Sequence, residues 1–239
     1  MAYSTISKPS LHFNTKTYAG NGSSNAQTGI GFQPDLFWCK STTNAENHTL
    51  IDAVRGVNSG LGTNTTAAAH GSTNFGSFDS DGFTWSGNLG SGNENGQTYV
   101  AWNWKAGGGQ GSSNTDGSIN TTYTSVNTTA GFSICKWAGS GANATIGHGL
   151  GVAPKMVITK SLGSSAWGVY HESLGNTKVL FLDTTAGESA NVAYWNNTSP
   201  TSTVFSVGTD SSVNHSGNDM IAYCFAEKKG FSKFGSYTG

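Results

Sequence analysis

Charge is scarce in this chain. Of its 239 residues, 10% are Asp, Glu, Lys or Arg, against ~25% in an ordinary globular protein. The net charge of −1 leaves no basic stripe for nucleic acid or for an anionic membrane surface. Cysteine is almost missing too. Cys39, Cys135 and Cys224 are odd in number, and the counterpart of Cys39 in the internal repeat described below is Thr159. That excludes a paired disulfide framework and reads as free thiols made in a reducing cytoplasm, each filling space as a small hydrophobe. No apolar run is long enough to span a membrane. Met1–Thr5 has neither a basic start nor an apolar core, so no secretory signal is expected.

Chemical motifs are missing as well. His12, His48, His70, His148, His171 and His215 are scattered, with no His-x-His, no His-Glu-x-x-His and no His/Cys cluster, so metal-ligand spacing is absent. No Gly-x-Ser-x-Gly elbow occurs, and Gly107-Gly108-Gly109 precedes neither a helix nor a Lys-Ser/Thr pair, which excludes a phosphate loop. Asp79-x-Asp81-Gly82 resembles the start of a calcium loop, but the position that should close it with an acid is Gly90, so a hairpin turn is the better reading. Glu172 and Glu188 would be the pair to test for glycoside hydrolysis. Both sit in loop-like sequence without a first-copy counterpart, whereas that chemistry needs carboxylates held at fixed separation. No catalytic residue, no metal site and no cofactor is expected.

What the chain does have is glycine (34 residues), aromatics (11%), and Asn, Ser and Thr in place of charge. Disorder does not fit, because disordered segments are poor in aromatics. The strongest signal is an internal repeat. Tyr18-Ala19-Gly20-Asn21-Gly22 matches Trp137-Ala138-Gly139-Ser140-Gly141 at an offset of 119. Gly31-Phe32-Gln33-Pro34-Asp35-Leu36 matches Gly151-Val152-Ala153-Pro154-Lys155-Met156 at 120. Tyr99 to Trp104 matches Met220 to Phe225 at 121. Short β-prone runs separated by turn residues recur throughout, and no segment has a helical face of ten residues; Ala67-Ala68-Ala69 offers at most one turn. The expected fold is all-β: two tandem jelly-roll or lectin-like (concanavalin-like) β-sandwich domains. Residues 1–9 form an N-terminal arm, 10–105 the first sandwich, 106–121 a flexible Gly/Ser/Asn-rich linker and 122–239 the second sandwich. Gly131-Phe132-Ser133 recurs as Gly230-Phe231-Ser232. Its favoured role is a closing strand beside the first strand of the second sandwich, the alternative being the start of a truncated third copy.

Candidate contact residues follow from composition. Most tryptophans fall in strands and are expected in the core. Tyr194-Trp195-Asn196-Asn197, ahead of a Thr-Ser-Pro loop, is the best candidate for a glycan or partner contact. Arg55 in Asp52-Ala53-Val54-Arg55-Gly56 is expected to fasten a turn through Asp52 or loop carbonyls, and Asp79, Asp81 and Gly82 to form a structural turn.

The residues also carry a resemblance. Phe13 to Ser23, Gly31 to Lys40, Asp52 to Gly56, Ser77 to Phe83 and Gly96 to Trp102 resemble an uncharacterised tandem β-sandwich repeat family abundant in marine tailed phages, including cyanophages. Its members are described as virion structural, tail-fibre-like or hypothetical proteins. The resemblance covers nearly the whole chain, although the second copy lacks the Arg-Gly and Asp-Ser-Asp-Gly elements. It implies a non-enzymatic protein on the virion surface, made in the host cytoplasm and present in many copies or as an oligomer. Its partners would be other capsid or tail proteins. The absence of heptad and collagen-like segments favours a capsid decoration or knob-like protein. The alternative is a tail fibre or a carbohydrate-binding module adhering to host surface glycans. Nucleic acid and membrane insertion are not expected.

Overall fold

The computed structural model describes residues 5–71 and 73–237. Met1–Ser4 of the expected arm lie outside the described residues, as do Thr238 and Gly239 at the end of the recurring segment. The rest of the arm packs on its own chain, with Ile6 buried ahead of a short 3-10 turn at Pro9–Leu11.

The chain is all-β. Its first part holds β1 (Phe13–Ala19), β2 (Asn25–Thr28), β3 (Leu36–Ser41), β4 (Thr49–Asp52), β5 (Phe75–Asp79), β6 (Gly82–Trp85) and β7 (Thr98–Trp104). The second part holds β8 (Tyr123–Asn127), β9 (Phe132–Ala138), β10 (Ala144–Gly147), β11 (Met156–Ser161), β12 (Trp167–His171), β13 (Lys178–Phe181), β14 (Ser189–Ala190), β15 (Val204–Val207) and β16 (Asp219–Phe225). Single helical turns occur at α1 (Val192–Trp195) and α2 (Ser211–Asn214), not at Ala67–Ala69.

Strand order makes the repeat explicit. One four-stranded sheet runs β1-β7-β3-β4, and the seven-stranded sheet contains the same order as β9-β16-β11-β12, flanked by β8 and by β13-β14. Likewise β2 pairs with β6, and β10 with β15. All these pairings are antiparallel.

Each part encloses its own apolar core. In the first, Tyr18, Phe37, Cys39, Phe83, Trp85 and Tyr99 meet between the four-stranded and three-stranded sheets. In the second, Cys135, Trp137, Val157, Trp195, Phe205 and Met220 are buried between the seven-stranded and two-stranded sheets. A third cluster joins the outward faces of the two larger sheets: Leu36, Leu50 and Val54 meet Ile134, Ile158, Trp167 and Tyr223. The four sheets therefore stack as successive layers; strands β11 and β16 are covered on both faces, and β3 and β7 are covered on one face and in part on the other. A strand buried on both faces carries apolar side chains on both.

A buried asparagine explains the Gly-x-Gly motif of the repeat. Asn93 and Asn214 stand at an offset of 121, and both are 0% exposed. Asn93 donates to Ser23 and Gly87 carbonyls, and its backbone carbonyl accepts from Gly22 N. Asn214 donates to Ala142 O and Ser140 Oγ, and its carbonyl accepts from Gly141 N. The loop is pulled so close that a Cβ on Gly20 would lie 2.3 Å from Glu94 O, and one on Gly139 would lie 2.1 Å from His215 O. Only glycine permits that approach.

Two sequence expectations change here. The segment after β7 is not a flexible tether. The buried Asp35 carboxylate accepts from the backbone N–H groups of Ala106 (2.7 Å), Gly108 (3.1 Å) and Gly109 (2.7 Å), with positive φ at Gly108 and Gly109. Further along, Ser112 bridges Thr124 and Ile119 bridges Ile146. The glycines serve to wrap an anion nest; burial raises the Asp35 pKa, with the three backbone donors opposing. Nor does Gly230-Phe231-Ser232 close the second part as a strand. It forms a turn bridged between Lys228 and Ser232. The reason is topological: β9 already pairs with β16 on one side and β8 on the other, so no edge remains beside it.

Candidate contact site

The loop residues singled out in sequence are only partly presented. Trp195 is 2% exposed. Its Nε1 donates to Lys178 O at 2.9 Å, and its ring meets Tyr170 edge-on. It is a core residue, which corrects its reading as a contact. Tyr194 is half-buried and packs on Phe181. Asn196 and Asn197 follow α1 with positive φ of 50° and 46°. Asn196 Oδ1 accepts from Asn143, while Asn197 stays exposed.

The expected turns use their acids within the protein. Asp79 accepts from Ser77 and Thr84 hydroxyls at 2.6 Å each. Asp81 accepts from the backbone of Gly29 and Gly31, which hold its pKa below the usual carboxylate value. Gly82 lies so near β2 that a Cβ would meet Gln27 O at 1.9 Å. The two glutamates considered for hydrolysis are each paired on the surface, Glu172 with Lys155 and Glu188 with Lys178. Among the described residues no group of three His, Cys, Asp or Glu is placed to hold a metal ion, and no helix is long and apolar enough to cross a membrane. The cysteines are free and buried; burial pushes the Cys39 thiol up to about 12.

Asp52 and Arg55 do come together, with a consequence beyond their own turn. Arg55, the single arginine of the chain, donates Nε to Asp52 Oδ2 at 2.6 Å and Nη1 to Ser59 O at 2.6 Å. The side chains are 1% and 0% exposed. Tyr223, from the second part, donates its hydroxyl to the same carboxylate oxygen at 2.7 Å. Burial opposes the arginine charge, but Asp52 and Tyr223 outweigh it and raise the pKa. Burial raises the Tyr223 pKa well above normal. Beside them Trp167 Nε1 donates to Gly62 O across the junction at 3.1 Å. Lys160 is fully buried on the same side and donates to Gly163 O. Burial, with Arg55 adding to it and Asp183 opposing, lowers its pKa to about 8.

Beside this network the junction is open. Registers place Thr15, Trp102, Trp38 and Leu50 in one row across the outward face of the four-stranded sheet, and Phe13, Trp104, Leu36 and Asp52 in the next. The second part covers the latter row: Trp104 lies 6.4 Å from Phe132 and 6.4 Å from Phe225. Trp104 and Phe225 are equivalent in the repeat, so like faces meet. The Trp102 row is covered only in part. It opens into a crevice of about 420 Å³ between the sheets, walled by Trp38 and Trp104 of the first part and by Met156, Trp167 and Tyr223 of the second, and flanked by Phe231 and Phe234 of the C-terminal segment. Continuous with it through Trp38 and Trp104 is a shallower trough of about 280 Å³ that adds His48 and Trp102. Sequence reasoning placed the tryptophans of these strands in the sandwich cores. Trp85, Trp137 and Trp195 are there, but Trp38, Trp102 and Trp104 are half-buried on the outward face. The signal was the period-two pattern of β7, whose small Ala101 faces the first core while both tryptophans face away from it.

Residues 8–239 match the family described as "Domain of unknown function (DUF7483)". No curated protein and no solved structure matches the chain.

Proposed function

Because the chain belongs to this DUF7483 family, whose description assigns no activity, we propose its role from its architecture. It is a non-enzymatic structural protein of a particle surface, a capsid-decoration or knob-like protein of a phage virion. Its layered parts are tandem lectin-like sandwiches. The observation that carries this reading is the welded junction: two repeats share one apolar core and one buried Arg55–Asp52–Tyr223 network. Such a block resists shear between its halves, as a protein fixed outside a particle must. The sequence resemblance to phage repeat proteins supplies the setting. Quantitative mass spectrometry of purified particles tests it: dozens to hundreds of copies per particle support decoration, a handful supports a fibre tip, and absence contradicts both.

A second reading, adhesion to host surface glycans, is favoured by the tryptophan trough. Aromatic side chains with an apolar face and a polar N–H are suited to surfaces that must bind yet stay wet. Multivalency across a particle would turn weak single contacts into firm attachment. Binding of the purified chain to host cells, competed by soluble surface polysaccharide, tests this reading.

A further inference from the structure

Resting on the adhesive reading, we infer that the trough lined by Trp38, His48, Trp102 and Trp104 binds a ring of a neutral saccharide. This moves the glycan contact from the 194–197 loop to the outward face of β3 and β7.

Geometry argues first. Trp38 and Trp102 sit opposite each other in register, with ring centroids 6.1 Å apart and planes inclined by 65°. Trp104 lies 6.5 Å from Trp38, and the His48 ring closes one side 6.3 Å from Trp38. The walls are indoles, and a hollow of about 280 Å³ accepts a sugar ring lying C–H face down on an indole. Pockets of this kind bind through apolar area and are oriented by a few polar groups.

Those polar groups are present and unspent. Trp38 Nε1 is buried without an acceptor among the described residues, and a buried donor left so is rare enough to call for an explanation. That N–H lies in the indole plane, so its acceptor would be a hydroxyl brought to the ring edge by a turn of the ring toward the trough, not an oxygen of the stacked face. His48 engages Nδ1 with Thr63 Oγ1 at 3.1 Å, which leaves Nε2 without a protein partner among the described residues. Burial, with Lys40 nearby, lowers the His48 pKa, so the ring is neutral at pH 7.

Charge complementarity selects the ligand class. The lining holds no carboxylate and no cation. The neighbouring Lys40 ammonium is turned onto Ser41 O and Asn44 O. Next along the face stand Thr15, Thr17 and Val100. A charged glycan would find no ion-pairing side chain in the lining itself, whereas a neutral hydroxyl-rich ring needs none. The trough is also continuous with the junction, the same face that the second repeat covers elsewhere.

The test is a printed array of neutral hexose and pentose oligosaccharides probed with the full chain, each hit then titrated in solution by tryptophan fluorescence. Saturable binding is expected, weakened roughly tenfold or more in Trp102→Ala, as for truncation of a central aromatic contact, and weakened also in His48→Ala. Unfolding curves of both variants check that each remains folded. Silence across the array, or a hit that both variants retain in full, overturns the assignment. Binding of the apolar dye 8-anilinonaphthalene-1-sulfonate without any saccharide hit overturns it too, in favour of an apolar-ligand crevice. Cell adhesion that persists in Trp102→Ala leaves the adhesive reading standing and removes only this site. No adhesion of the unaltered chain removes that reading itself.

Discussion

Two regions of the junction are built from the same pair of sheet faces, yet they end differently. In one region Asp52, Arg55 and Tyr223 satisfy one another across the repeats and are buried, and Trp167 donates to Gly62 O beside them. In the other, Trp38 and Trp102 remain half-buried, with an indole N–H unpaired among the described residues. Equivalent strands come together, but the copies differ at the positions that meet there. Tyr223 stands where the first copy has Trp102, and the Asp-Ala-Val-Arg-Gly turn has no second-copy match. Divergence after duplication has closed one region of the junction with a polar bolt and left the other as an aromatic surface. The copies thus share scaffold, and what is particular to each is found where they touch.

That contrast can be broken from the closed side first. Arg55→Ala leaves the buried Asp52 carboxylate without its cation, and such a loss costs ~3–5 kcal/mol; the shift in a urea unfolding midpoint measures it. Tyr223→Phe removes one hydrogen bond to a charged oxygen and should cost ~1.5–3 kcal/mol by the same assay. If either variant is as stable as the parent, the bolt does not hold the repeats. On the open side, Trp102→Ala surrenders only part of a half-buried ring and should cost no more than ~1–2 kcal/mol. A loss equal to that of Arg55→Ala would show that both sides are structural and would remove the distinction.

A control away from the junction sharpens the comparison. His148 is buried in the second part. Its Nδ1 accepts from Leu150 N and its Nε2 faces Thr201 O, so the fold holds the neutral ring. Burial lowers its pKa from the ordinary 6.5, with Thr201 and Asp116 opposing. Below pH 6.5 the unfolded chain takes up a proton that the folded chain refuses, so stability falls as pH drops from there toward the lowered folded value. The slope is at most ~1.4 kcal/mol per pH unit. Unfolding midpoints at several pH values should show it, and His148→Gln should flatten it; an unchanged slope contradicts the assigned tautomer. The smallest effect is expected at Asp81→Asn, where exposed bonds to Gly29 and Gly31 are weakened. The parent should lose that contribution only on acidification through the lowered Asp81 pKa, which a melting curve in mild acid would detect.

Much of this was legible in the sequence because it is local or periodic. The short strands after Pro34 and Pro154 and the Asp-Gly hairpin needed only nearest neighbours to be recognised. Asn93 and Asn214 lie a few residues upstream of the last matching strands at the same 121 offset, so a longer alignment of the copies reaches them. What escaped depended on packing between copies. A strand with apolar residues on both faces must be covered twice, and Trp102 with Trp104 opposite Ala101 says so; but which sheet does the covering is a tertiary fact. The Gly107–Gly109 run looked flexible because glycine permits a loose tether and a tight anion nest alike, and Asp35, distant in sequence, decides between them. The 230–232 recurrence misled because local likeness to β9 carries no information about whether β9 has a free edge.

The claim beneath the proposed role is that the two repeats are one block. Equilibrium urea unfolding of the full chain should be followed with a separate reporter in each repeat's own core. A single transition with coincident midpoints is predicted, because the shared cluster and the Arg55 bolt would be lost with either half. Two separated transitions, with one repeat unfolding while the other stays native, would contradict it.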